Sequence, residues 1–255
     1  MPVSEKLIKR LKAAFHVVVA SGAGISAASG VPTFRGKDGL WNKFKPQDLA
    51  NMNAFLEDPA LVWEWYRWRR NIIKNVKPNA GHYALVEMEQ YFPEFSVITQ
   101  NVDNLHQSAG TKNITELHGN IMRDKCINCT YECDETETNA AQFENNVPRC
   151  PQCGSLLRPG VVWFGEMLPQ TAIARGQSLA AEAEIFFSIG TSSLVEPAAS
   201  LPYIAKGNGA LLVEINPEET PLSSIVDQRF ASEADEILPK LAMLVRKVRK
   251  RIENH

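Results

Sequence analysis

Four short, nearly continuous apolar runs punctuate the chain: residues 15–20 (FHVVVA), 95–99 (FSVIT), 185–189 (IFFSI) and 210–215 (ALLVEI). Helical spacing fills the stretches around them. Leu7, Ile8, Leu11, Ala14 and Phe15 fall on one face of an N-terminal helix. Residues 46–75 read as helical with Asp58-Pro59 as a helix start, Pro78-Asn79 breaks the pattern, and 81–90 resumes it. Further helices are predicted over 170–182, before residue 210, and at the C-terminus. Apolar runs without alternation belong to strands buried on both faces, and their alternation with helices predicts an α/β fold with a parallel sheet. Ligands of such sheets bind at the carboxyl ends of the strands. The residues there are Gly22, Ala23 and Gly24; Gln100, Asn101 and Asp103; Gly190, Thr191 and Ser192; and Asn216, Pro217 and Glu218. All are small or polar, and they are expected to converge on one crevice.

The 255 residues suit one large or two modest domains, and 44% hydrophobic content supports a sizeable core. A net charge of -2 with a pI near 6.2 argues against a general nucleic-acid binder, so no sequence-specific nucleic-acid binding is expected. No run of about 18 apolar residues is present, which predicts no membrane span. The N-terminal segment lacks the apolar core of a signal peptide. Of five cysteines, Cys126, Cys129, Cys150 and Cys153 form C-x2-C-x20-C-x2-C, and Cys133 is left over. Bound metal in a reducing, cytoplasmic setting accounts for this pattern better than a disulfide framework.

Chemistry can be read at several places, each with a plainer alternative. Gly22-x-Gly24-x-x-Ala27 follows a strand and fits a dinucleotide-binding turn, but a simple strand-to-helix turn would look the same. A dehydrogenase would continue directly to a second strand, whereas here a Gly- and Pro-rich loop carrying Phe34, Arg35 and Trp41 intervenes. The cysteine knuckles predict a closed tetrahedral zinc site of structural kind, with a catalytic zinc or disulfides as the minority readings. The polar middle of that insert (CDETETNAAQFENN) is expected to be a loose loop. His118 could serve as a general base or be a hydrogen-bonded structural histidine; His16, His82 and His106 read as structural. Tyr66 and Arg69 share a helix face and could hold a carboxylate, although aromatic packing with a solvated arginine face is the preferred reading from the residues alone. The basic run 246–251 reads as a solvated helix end.

Taken together, GAGISAASGVPTFR (22–35), TQNVDNLH (99–106), ELHGN (116–120), the cysteine knuckles, GVVWFGE (160–166), GTSS (190–193) and INPE (215–218) resemble the sirtuin family of NAD-dependent protein deacylases. They occur in family order and span nearly the whole chain. The resemblance implies a Rossmann-type NAD-binding domain (1–35, 78–120 and 159–255) and a smaller inserted domain joining a helical module (36–77) to a zinc-binding module (121–158). It implies NAD consumed as a co-substrate, one structural zinc on the four cysteines, and acylated lysine side chains of proteins as partners, the chain acting as a monomer. Peptide backbone would pair with Val162, Trp163, Phe164 and Gly165 by strand addition. The acyl oxygen would attack the nicotinamide ribose, nicotinamide would leave, His118 would act as base on the ribose hydroxyls, and water would complete the release of free lysine and O-acyl-ADP-ribose. Asn101 and Asp103 would position the ribose and carboxamide, Phe34 would shield the reacting face, and Gln100, Ala23, Thr33, Trp41 and Pro217 are also expected to bind the cofactor. Arg35, Ser26, Gly22 and Gly24 would serve the phosphates. Gly190, Thr191 and Ser192, with Asn216 and Glu218, would hold the adenosine half, with Ala234 touching adenine through its backbone; Ser232 stands where the family often has glycine. Tyr-x-x-Arg at Tyr66 and Arg69 resembles the subclass accepting succinyl and malonyl groups, with acetyl still tolerated; Arg67 and Arg70 do not fit that subclass's positions. The alternatives are a plain lysine deacetylase, a mono-ADP-ribosyltransferase, or a non-enzymatic zinc-ribbon binding module.

Overall fold

The computed structural model describes residues 2–33, 49–140, 143–144 and 146–250. Phe34, Arg35 and Trp41 therefore lie outside the described residues. The central sheet has six parallel strands: β1 (His16–Ser21), β2 (Glu94–Thr99), β3 (Ile114–Glu116), β9 (Ile185–Ile189), β10 (Leu211–Ile215) and β11 (Gln228–Phe230). Their order across the sheet is β11-β10-β9-β1-β2-β3. This is the doubly wound order whose reversal point lies between β1 and β9, where such sheets open a crevice.

The sheet is buried on both faces because successive side chains of each strand point to opposite sides. Val17 and Val19 enter a core with Leu7, Leu11, Leu85 and Met88, while Val18 and Ala20 enter another with Ala180, Leu201 and Ala205. The helices Glu5–Ala13, Ala80–Glu89 and Ala234–Val248 thus cover one face, and Gln170–Glu182 and Leu201–Gly207 the other. Local chemistry starts these helices as their sequences require. Ser4, Asp58 and Asn79 are N-caps whose side chains accept backbone N–H bonds, and Pro59 stands at the first helical position.

A third core gathers Phe55, Val62, Trp63, Trp65 and Tyr66 with Ile121, Val147, Leu157, Val161 and Trp163. It joins the helices Met52–Glu57 and Pro59–Lys74 to an antiparallel sheet of β4 (Gly119–Cys126), β5 (Glu132–Asp134) and β8 (Leu157–Val161), in the order β5-β4-β8, and β6 (Phe143–Glu144) pairs with β7 (Val147–Pro148) as a separate two-stranded ribbon. A buried ion pair fastens the two parts. Arg70 binds Asp124 at 2.5 and 3.3 Å and donates to the carbonyl of Ile121 at 2.6 Å. Thr138 donates to the same Asp124 carboxylate at 2.6 Å, and Cys133 lies 3.2 Å from the Thr138 hydroxyl.

Two expectations are corrected. The middle of the cysteine insert is not a loose loop: β5 and a helix at Glu135–Ala140 occupy its first part, because Thr138 and Cys133 anchor it to Asp124. The basic C-terminal run is not wholly solvated. Arg249 donates to the carbonyls of Leu11 and Ala14 at 3.1 and 2.6 Å and stacks on Phe92, satisfying open carbonyls at the end of the first helix. Among the described residues, no helix is long and apolar enough to cross a membrane.

Candidate active site

Four strand ends are tied together at the reversal point. The turn after β1 packs on the turn after β9: Gly22 N–H donates to Ile189 and Gly24 N–H to Gly190, at 2.9 and 2.8 Å. A Cβ at Gly24 would lie 2.6 Å from Gly190 Cα, and one at Gly190, whose φ is +58°, would lie 2.5 Å from Ile25 N. Only glycine allows these two backbones to meet. Thr191 then links the other strands, accepting from Gln100 Nε2 at 3.1 Å through its hydroxyl and from Asn216 Nδ2 at 2.9 Å through its carbonyl. Asn216 Oδ1 accepts from Glu218 N–H at 3.1 Å. Ser192 is half-buried in the same turn, Pro217 and Glu218 are exposed, and Ala23 and Thr33 are half-buried. Ala234 is the buried first residue of the last helix, just beyond β11, whose Phe230 carbonyl accepts from Asn216 N–H.

Beneath this rim lies a polar cluster. Asn101 Nδ2 donates to the Gly22 carbonyl at 3.1 Å and to Ser26 Oγ at 3.2 Å; Ser26 Oγ donates to Asp103 at 2.7 Å. The other Asp103 oxygen accepts from Leu105 N–H at 3.0 Å. Burial pushes the Asp103 carboxyl up, opposed by these bonds and by the Arg69 charge. Thr99 Oγ1 accepts from Asn101 N–H at 3.0 Å, and Ser21 Oγ sits between Thr99 Oγ1 and His106 Nε2 at 3.0 and 2.9 Å. The first turn of the glycine-rich segment is thereby locked to the loop after β2.

His118 stands between β3 and β4. Its Nδ1 lies 3.0 Å from the Gln100 carbonyl. A carbonyl can only accept, so Nδ1 carries the proton and neutral His118 keeps Nε2 bare, as a base requires. Burial lowers its pKa below the usual 6.5, partly offset by that hydrogen bond. The neighbouring Glu116 and Asn120 brace this corner: Asn120 Nδ2 reaches Glu116 at 2.7 Å and Asn104 at 2.9 Å.

The four knuckle cysteines converge, their Sγ atoms all within 4.8 Å of one another. Cys126 and Cys153 are 3.5 Å apart, Cys129 and Cys150 3.6 Å. A disulfide needs about 2.05 Å, whereas sulfurs at the corners of a tetrahedron around zinc, each at about 2.3 Å from it, stand about 3.8 Å apart. The donor set fits one structural zinc. Cys133 lies outside it.

The side chains expected to meet an acyl group are also together. Tyr66 is buried and its hydroxyl accepts from Trp163 Nε1 at 2.8 Å. Arg69 is buried beside it, its guanidinium carbon 4.8 Å from the Trp65 ring and 5.6 Å from that of Tyr66, with its charge felt by Asp103. Arg69 therefore does not belong to a solvated face. Burial raises the Tyr66 pKa against the opposing Arg69 charge, so the phenol stays protonated. Val162 to Gly165 continue from β8 as a turn: Val162 N–H donates to the His118 carbonyl and Phe164 N–H to the Ala50 carbonyl, both at 2.9 Å, and Gly165 has φ +85°. Phe164 is exposed.

Residues 22–197 match the model of the Sir2 family. The chain belongs to that family. An NAD-dependent protein deacylase of Aquifex aeolicus is 54% identical over 226 residues, covering 89% of this chain and 93% of that protein. The crystal structure of a Sir2 homolog–NAD complex superposes with a TM-score of 0.88 at 45% identity, covering 96% of this chain and 95% of the other. A Sir2–p53 peptide–NAD+ structure gives 0.84 at 32% identity, covering 94% and 97%.

Sequence reasoning within this Sir2 chain gave no individual role to Ser21, Thr99, Arg158 or Glu166. Ser21 and Thr99 are polar residues closing strands whose preceding two positions are apolar, which could have marked them. Arg158 and Glu166 are joined only by folding, and their spacing carries no signal.

Proposed function

We propose that the chain is an NAD-dependent protein lysine deacylase that removes succinyl and malonyl groups and also accepts acetyl. The observation that carries this reading is the buried Tyr66–Arg69 pair, set between Trp163 of the segment expected to bind peptide and Asp103 of the crevice. A guanidinium and a phenol on one helix face can offer a carboxylate a bidentate fork and a further hydrogen bond, and a dicarboxylic acyl group brings that carboxylate.

Bound NAD would supply the ribose carbon that the acyl oxygen attacks as nicotinamide departs, and one water would complete the release of free lysine and O-acyl-ADP-ribose. Its fit rests on the polar side chains gathered at the reversal point. Asn101 and Asp103, fixed through Ser26, hold the ribose end; Gln100, Thr191, Ser192 and Asn216 line the way to the adenosine end, with Ala234 beyond. His118 Nε2 takes a proton from a ribose hydroxyl, and its Nδ1–H stays on the Gln100 carbonyl, which steadies the positive ring. Peptide would lie along Val162 to Gly165. Zinc on the four cysteines is structural, since four thiolates leave no open position. Cysteines held as zinc thiolates rather than disulfides suit a reducing compartment, the cytoplasm among them.

Arg69→Met tests the acyl reading with matched succinyl- and acetyl-lysine peptides. Succinyl kcat/KM is expected to fall by about 100-fold, the scale of a lost hydrogen bond to a charged group, with acetyl turnover reduced far less. Equal losses on both peptides would make Arg69 a packing residue and reduce the reading to a plain deacetylase.

A further inference from the structure

A donor-only network stands behind the Tyr66 hydroxyl. Trp163 Nε1 can only donate, so at 2.8 Å the Tyr66 oxygen is the acceptor. Arg69, also donor-only, approaches the same oxygen. With both neighbours supplying protons, the phenolic proton has to be given to a third group, and an acyl carboxylate is such an acceptor. The indole that imposes this is itself held from behind. The Arg158 guanidinium carbon lies over the Trp163 ring, 3.3 Å from its centroid, and the side chain is almost wholly buried. It forks onto Glu166, and its Nη2 donates to the Val161 carbonyl at 2.7 Å. Glu166 closes the loop by accepting from Trp163 N–H at 2.8 Å, while Glu166 N–H donates back to the Trp163 carbonyl at 3.0 Å. Backbone and ring of Trp163 are thus clamped by one ion pair.

We propose that Arg158 and Glu166 are positioning residues for acyl selectivity: they fix the Trp163 indole on the Tyr66 oxygen, so that this hydroxyl meets the acyl group as a donor. The proposal rests on the acidic-acyl reading given above. A planar guanidinium is needed, because lysine can neither fork nor stack in its place. Glutamine at position 166 keeps an oxygen for the Trp163 N–H but loses the charged fork.

The test is steady-state kinetics of the full chain with matched succinyl- and acetyl-lysine peptides, for Arg158→Lys, Glu166→Gln and Arg69→Met. Arg158→Lys is expected to lower succinyl kcat/KM about tenfold, chiefly through KM, and acetyl kcat/KM less than about threefold. Glu166→Gln is expected to fall between wild type and Arg158→Lys. Equal losses on both peptides in Arg158→Lys, with Arg69→Met still selective, would overturn this proposal and leave the acyl reading standing. Loss of selectivity in neither Arg69→Met nor Arg158→Lys would overturn both. Should Arg158→Lys fail to give a cooperative thermal transition, Glu166→Gln decides: a succinyl-to-acetyl ratio like that of wild type with a lowered melting temperature would mean the pair is merely structural.

Discussion

A histidine serves as a base only while one ring nitrogen is bare, and the Gln100 carbonyl decides which nitrogen that is for His118. His118→Ala is expected to lower kcat by about 100- to 10,000-fold while nucleotide binding, measured by calorimetry, persists. Near-normal turnover in the variant would remove His118 from the chemistry. Its pKa lies below 6.5 because burial disfavours the charged ring. Activity should therefore rise with pH along an acid limb centred below 6.5, and a limb centred above that value would contradict the assignment. At this scale the strand-end residues were legible, since a parallel sheet must present Gly22, Asn101, Gly190 and Asn216 at one edge. The state of Tyr66 was not. Its i, i+3 relation to Arg69 gives a shared face, but only the fold brings Trp163, 97 residues away, onto its oxygen.

Elements meet here through two tight contacts, and each predicts a cost. The turns after β1 and β9 touch backbone to backbone, so Gly190→Ala puts a Cβ against Ile25 N at a φ that alanine resists. A loss of about 2 kcal/mol or more is expected in urea unfolding, with weakened NAD binding; a wild-type midpoint would refute this packing account. The helix bearing Tyr66 and Arg69 is pinned to β4 by Arg70 and Asp124, both almost fully buried. Arg70→Met strands a carboxylate in the interior, and about 3–5 kcal/mol of stability should be lost, read as a drop of roughly 10 °C in melting temperature. An unchanged melting temperature would mean Asp124 finds other partners. The central strands were readable because burial on both faces produces nearly continuous apolar runs. β3 and β11 were missed because each is three residues long at a sheet edge, where ITE and QRF leave no period to detect. The helix at Glu135–Ala140 was missed because its anchor, Thr138 on Asp124, is a tertiary contact.

For the whole molecule, two buried histidines tie stability to pH. Burial lowers His106 to about 3 and His82 to about 4, against 6.5 when unfolded. Between those values and 6.5 the unfolded chain binds more protons, so stability is full above pH 6.5 and declines as pH falls below it. About 1–2 kcal/mol per histidine should be lost by pH 5 in urea titrations, and a flat profile would contradict neutral burial. Zinc is the second global tie. Cys126→Ala or chelation should melt the third core while leaving the six-stranded sheet, since the four thiolates hold β4 and β8 ends together. The measurement that bears most directly on the proposed activity is mass spectrometry of products from NAD with matched succinyl- and acetyl-lysine peptides. Free nicotinamide and O-succinyl-ADP-ribose, formed faster than the acetyl product, are predicted; ADP-ribose attached to protein, or no nicotinamide release with either peptide, would contradict a deacylase.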